Sequence, residues 1–188
     1  YGEATSWLQG NEWDSIMNYD AFMEPVTWFL TGVSKHSTEK REDMYNDADV
    51  FWCSMIYQMA KLPFQSLNTA MNELSNHDHS RFLTRTNGRV GRLETDSSEA
   101  AAEGIDQAVM REAVLLQMTW PGAPTVYYGD EVGIVGSKEV DQNVRQPIKW
   151  GDFTQPDCEP VSGITKLFMF HIGVNSGTNN ECILCRVR

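Results

Sequence analysis

Strand-like and helical segments alternate along this chain, and the strand-like ones close on polar tips. That alternation leaves few folds open. Trp13 to Tyr19 reads as a short strand ending in Asn18-Tyr19, and Thr69 to Leu74 as an apolar strand running into Ser75-Asn76-His77-Asp78. Thr125 to Tyr128, β-branched and aromatic, reads as a buried strand ending in Gly129-Asp130-Glu131. Between the first two, Asp20 is a candidate N-cap and Pro25 suits a first helical turn. Val26, Phe29, Leu30 and Val33 then follow at helical spacing. Asp49 to Lys61 reads as a second helix with an apolar face of Phe51, Trp52, Met55, Ile56 and Met59, stopped by Pro63. Ile105 to Thr119 is a third, burying Ile105, Ala108, Val109, Ala113, Leu115 and Leu116 before Pro121-Gly122-Ala123-Pro124. Strands that alternate with helices predict an α/β parallel sheet with right-handed crossovers and its polar tips along one rim.

The tip of greatest interest is Ser75-Asn76-His77-Asp78-His79-Ser80-Arg81-Phe82, which sets an imidazole beside a carboxylate at a strand end. Asn, Asp and Ser are also ordinary turn formers, so the eight residues alone read more readily as a turn than as a site. The remaining composition excludes more than it selects. A chain of 188 residues fits one domain with a real core, and a net charge of −11 argues against nucleic acid. The basic run Arg81, Arg85, Arg89, Arg92 has near-helical spacing and reads as a solvated helix face. Residues 1–12 read as loop, anchored by Trp7 and Leu8, and residues 38–47 as solvated. No apolar run reaches membrane-spanning length, and no membrane partner is expected. The four cysteines, Cys53, Cys158, Cys182 and Cys185, include one Cys-x-x-Cys pair and no second pair to complete a zinc site. Few cysteines without a framework suit a reducing compartment, so a cytoplasmic location is expected. The chain opens on Tyr1-Gly2-Glu3, with neither a signal peptide nor an initiator methionine, as if cut from something longer.

Three motifs in register carry a family resemblance. They are Trp7-Leu8-Gln9-Gly10 with Met17-Asn18-Tyr19, then Asn76-His77-Asp78, then Pro121-Gly122-Ala123-Pro124-Thr125-Val126-Tyr127-Tyr128-Gly129-Asp130-Glu131-Val132-Gly133. Together they resemble the α-amylase family of glycoside hydrolases, nearest to its neopullulanase, cyclomaltodextrinase and maltogenic amylase group. The likeness runs from Tyr1 to about Trp150. It implies part of a (β/α)₈ TIM barrel, roughly strands 6 to 8 with their helices, in residues 1–150, and leaves 151–188 as a divergent, unassigned tail.

The family uses retaining chemistry on α-1,4 and sometimes α-1,6 glucosidic bonds. Its carboxylate trio is an aspartate nucleophile, a glutamate acid/base and a further aspartate. Asp78 falls on the third, the catalytic group that holds the hydroxyls of the sugar being cleaved and stabilises its oxocarbenium-like transition state. His77 matches the histidine that hydrogen-bonds the same sugar. Asp141 and Arg145 match a substrate-binding pair, with an i, i+4 ion pair as the plain alternative. Pro147 makes a regular helix there doubtful. Tyr1 takes the place of an aromatic flanking the acceptor side. Asp130 and Glu131 shape the rim and are expected to be structural.

The ungapped register puts the acid/base two residues before Tyr1, so Glu3 would fill that role only with a four-residue deletion. Nothing resembles the nucleophile's motif. The expectation is a fragment of an α-glucan hydrolase, inactive alone, with no cofactor or metal and an α-glucan oligosaccharide as substrate. The resemblance also allows a homodimeric parent. A non-catalytic maltooligosaccharide-binding remnant, or a transglycosylase or isomerase of the same family, is the alternative.

Overall fold

Three extended segments lie side by side and run parallel. Met17 bridges Met71, and β1 (Met71–Asn72) pairs with β2 (Ala123–Pro124), Met71 opposite Ala123 and Asn72 opposite Pro124. Met71 N–H donates to Ile16 O at 2.9 Å and Asn18 N–H to Met71 O at 3.1 Å. On the other side Ala123 N–H reaches Ala70 O at 2.7 Å, and Thr125 N–H reaches Asn72 O at 2.9 Å. β1 is therefore the middle stave, and the residues that follow it emerge between two neighbours. This computed structural model describes residues 2–91, 98–138 and 141–148. The expected tail from 151 lies outside them, as do Arg92, Cys158, Cys182 and Cys185.

The strands sit differently from their expected places, for local reasons. The first contributes only the bridge at Met17, because the chain winds into a π-helical turn, Tyr19–Met23, in which Met23 N–H reaches back to Asn18 O. Asp20 lies inside that turn and caps nothing. The third strand falls before Thr125–Tyr128. Its ladder donors are Ala123 and Thr125, so the nitrogen between them, on Pro124, faces away from β1 and no bond is lost. A proline that looks like a breaker can thus occupy an edge. Thr69, expected to open the middle strand, instead ends a helix.

The crossovers are helical. α1 (Gly2–Trp7) occupies part of the segment expected to be loop. α2 (Glu24–Thr31) carries Pro25 in its first turn and ends at Gly32, whose φ of +69° suits glycine. α3 (Ala48–Met59) begins where the Asp47 side chain accepts from Val50 N–H at 3.0 Å. α4 (Phe64–Thr69) leads into β1, and α5 (Phe82–Arg85) follows the His-Asp tip. α6 (Ser98–Ala102) precedes α7 (Gln107–Thr119), capped by Asp106, and α8 (Asp141–Val144) follows β2.

The core gathers Phe22 from the π-helical turn, Val26 from α2, Met55 from α3, Leu74 and Phe82 around the tip, and Met110 and Val114 from α7. The buried face of α7 is Met110, Ala113, Val114, Gln117 and Met118. Ala108 and Leu115, expected inside, are exposed, because they lie off the stripe that packs against the core. On α3 only Phe51 and Met55 are buried, while Trp52 and Ile56 face outward.

A polar clasp joins the three staves. Asn18 Nδ2 donates to Asn72 Oδ1 at 2.7 Å, and Asn72 Nδ2 donates to Pro121 O at 3.1 Å. Gln117 Nε2 bridges Asn72 O and Thr125 O at 3.0 and 2.9 Å. Gly122, at φ +134°, leaves room for it: a Cβ there would meet the Asn72 amide at 2.6 Å.

Candidate active site

β1 ends at Asn72, and the next six residues carry the polar tip. Asn76, 3% exposed, is its hub. Its Oδ1 accepts from Asp78 N–H at 2.8 Å and contacts His79 Nδ1 at 2.7 Å. Its Nδ2 donates to the Tyr19 hydroxyl at 2.8 Å and to Glu73 Oε1 at 3.1 Å. All four hydrogen-bonding positions of the amide are filled. The Asn76–Asp78 bond is an Asx turn. The turn and the site are one object, because the bend turns His77 and Asp78 outward. Their side chains are 46% and 54% exposed, with His77 Nε2 3.4 Å from Asp78 Oδ1. His79, by contrast, is buried, stacked on His36 with ring centroids 4.4 Å apart and edge-on to Tyr19.

Two arginines brace this tip from below, and both overturn the expectation of a solvated face. Arg81 and Arg85 are fully buried. Arg81 Nη1 pairs with Asp130 Oδ1 at 3.0 Å and donates to Tyr128 O at 2.6 Å, while Nη2 reaches Val144 O at 2.9 Å. Its guanidinium also lies 4.2 Å from the Tyr127 ring centroid. Arg85 donates to Thr27 Oγ1 and to Leu74 O, and burial lowers its pKa to about 10. Helical spacing on a four-residue helix does not imply a wet face when α2 and the segment after β2 cover it. Arg89 behaves as expected, half exposed and paired with Glu103.

Asp130 takes the structural role foreseen for it. Burial pushes its carboxyl up, and the Arg81 guanidinium pulls it back. Through Arg81 the tip is tied to the stretch bearing the other expected binding residues: Arg81 N–H also donates to Gly136 O, eight residues before Val144. Arg145 is exposed just beyond α8, and its charge acts on Tyr127. α8 stops before Pro147, as that proline requires. The Asp141 side chain, Tyr1 and the Glu3 side chain lie outside the described residues.

Glu73 is a functional candidate the sequence reading passed over. It is 3% exposed, its carboxylate accepts from the neutral Asn76 amide, and burial pushes its carboxyl up to about 7 from 4.5. The signal was present as a lone acid inside an apolar strand run, Met71-Asn72-Glu73-Leu74. The native state holds this proton more tightly than the unfolded chain. The contribution to stability is therefore full below about pH 4.5 and is lost as pH rises through 7. Urea unfolding should show Glu73→Gln gaining on the wild type by on the order of 2 kcal/mol between pH 5 and pH 8. A difference independent of pH would contradict that assignment. Among the described residues, no group of three His, Cys, Asp or Glu side chains could hold a metal ion, and no helix is long and apolar enough to cross a membrane.

A parallel sheet with an outward His-Asp pair after its middle strand can bind polyols and stabilise positive charge. The family model for the alpha amylase catalytic domain matches residues 2–162 of this chain. The chain belongs to the alpha-amylase family. That family's catalytic domain is a TIM barrel, of which this chain is a part. Neopullulanase 2 of Thermoactinomyces vulgaris is 33% identical over 153 residues, covering 81% of this chain and 21% of that relative. A cyclomaltodextrinase of Bacillus sp is 28% identical over 179 residues, 94% of this chain and 26% of the relative. A solved cyclomaltodextrinase superposes with a TM-score of 0.65 at 27% identity, over 91% of this chain and 24% of that one. The chain thus spans about a quarter or less of these alpha-amylase family relatives. The expected neopullulanase and cyclomaltodextrinase kinship holds.

Proposed function

We propose that this chain is the carboxyl-side part of the catalytic barrel of a retaining glycoside hydrolase, contributing strands 6 to 8 in residues 1–150. Its substrates are α-1,4-linked, and in some contexts α-1,6-linked, glucans such as maltodextrins, cyclodextrins or pullulan. The observation that carries this reading is the outward His77–Asp78 pair, set by the Asn76 turn at the end of the middle parallel strand and lying on the family's motif. Asp78 holds the hydroxyls of the reacting glucosyl unit and offsets its developing positive charge. His77 donates to the same sugar. Asp141, Arg145 and Tyr1 extend the binding surface on either side of the scissile bond. Neither the nucleophile nor the acid/base has a counterpart here, and retention requires the two to stand ~5–5.5 Å apart.

The isolated 188-residue chain should therefore leave cyclodextrin, maltotriose and pullulan intact when reducing ends are assayed, while binding maltooligosaccharide weakly. Turnover by the purified chain that Asp78→Asn abolishes would defeat the fragment reading, and binding that His77→Ala leaves unchanged would defeat the site.

A further inference from the structure

Asn76 orients the tip, so the group that orients Asn76 matters. We propose that Glu73 is a positioning residue: its carboxylate, by accepting from Asn76 Nδ2, fixes which way round that amide sits and so keeps the His77–Asp78 turn facing outward. Its importance for sugar binding rests on the reading of Asp78 given above; its effect on the turn does not.

An amide can sit in two orientations, and the partners around Asn76 select one of them unequally. The Tyr19 hydroxyl both donates and accepts, so it tolerates either. The Asp78 N–H demands an oxygen, but it belongs to the turn itself and can swing away with it. Glu73 sits one residue past β1, anchored by the strand ladder, and an ionised carboxylate only accepts. A reversed amide would set its carbonyl oxygen against that carboxylate and its NH₂ against the Asp78 N–H. Ionised Glu73 therefore excludes the reversed form from a fixed point outside the turn.

A protonated Glu73 loses this selectivity, because its own O–H can donate to a reversed carbonyl. Burial brings that change into the neutral range, at about pH 7. The charged groups facing Glu73 pull in both directions. Asp78 on the tip and Asp130 after β2 disfavour its charge, and Arg85 from α5 favours it. Tyr19, from the π-helical turn, stays neutral, its pKa raised to about 12 by burial and then by Glu73 itself. His79 keeps its Nδ1 on Asn76 Oδ1. The fold accepts a destabilising charge at Glu73, and what that charge supplies is a single orientation of the tip.

The test uses NMR of the whole chain between pH 5.5 and 8.5. Wild type should give one Asn76 side-chain amide pair at pH 8.5, and the Asn76 and Asp78 amide shifts should inflect near pH 7. Glu73→Gln, isosteric but able to present either an oxygen or an NH₂, should remove that inflection and double or broaden the Asn76 signals at pH 8.5. Maltotetraose binding should weaken about threefold or more in Glu73→Gln at pH 8.5, and match wild type at pH 5.5. An inflection that survives Glu73→Gln, or Asp78 amide shifts identical in the two proteins at pH 8.5, would overturn the proposal. Amide changes as expected, in a wild-type chain that binds no maltotetraose, would uphold the positioning role and sink the sugar site instead.

Discussion

Asp130→Ala should lower the unfolding free energy of this chain by about 3–5 kcal/mol, the usual consequence of leaving one member of a buried ion pair without its partner. Arg81 is 0% exposed and cannot turn to water, and its remaining bonds go to the carbonyls of Tyr128 and Val144 and to the face of Tyr127. These are dipoles and a quadrupole, and none replaces a full charge at 3.0 Å. The loss is a large part of the 5–15 kcal/mol typical of a domain. A second variant separates the charge from the scaffold. Asp130→Leu with Arg81→Met removes both charges, which in other buried pairs is close to neutral. Here it also strips the donor from Tyr128 O and Val144 O, at about 1–3 kcal/mol for each buried carbonyl left unmet. The two carbonyls together cost about 2–6 kcal/mol, so the double variant should recover at most about half of the loss seen in Asp130→Ala. Urea midpoints at one pH decide it. Full recovery would mean that Arg81 acts only as a counter-ion, whereas no recovery would mean that it acts only as a strut.

That pair also marks where a sequence stops being readable. Arg81 and Asp130 are 49 residues apart and meet only because β1 and β2 are neighbours, so no local period announces them. A charge run with helical spacing defaults to solvent, and Arg81 and Arg85 depart from it because each donates to a buried carbonyl, Val144 O and Leu74 O respectively. The parallel arrangement and the outward tip were legible, since both follow from the alternation of segments and from Asn76-His77-Asp78. Strand positions were less so. β-branched and aromatic propensity pointed to Thr125–Tyr128, but ladder register selected Ala123–Pro124, and register is a property of the partner strand. The α7 stripe was misjudged for a similar reason: which side of a helix is wet depends on what packs against it, and Leu115 is 53% exposed despite its chemistry. Glu73 could have been singled out, because an acid between Asn72 and Leu74 in an apolar run needs a reason to be there.

Where the family's nucleophile and acid/base are supplied upstream of Tyr1, Asp78→Asn should reduce kcat by about 10²–10³-fold or more, as removal of one preorganised charge-stabilising group does elsewhere. The geometry keeps the effect local. Asp78 enters the turn through its backbone N–H, which Asn76 Oδ1 accepts, and asparagine retains that bond. Its side chain is 54% exposed and touches His77. Thermal stability should therefore stay within the ±0.5 kcal/mol expected of a surface change. On the role proposed for Asp78, neutral asparagine would still hydrogen-bond the sugar hydroxyls, so KM should move only a few-fold. It would lack the negative charge that this proposal sets opposite the oxocarbenium-like centre, a charge that matters most at the transition state. A variant that raises KM with kcat intact would reassign Asp78 to ground-state binding. A variant that loses stability and activity together would make the tip a structural turn.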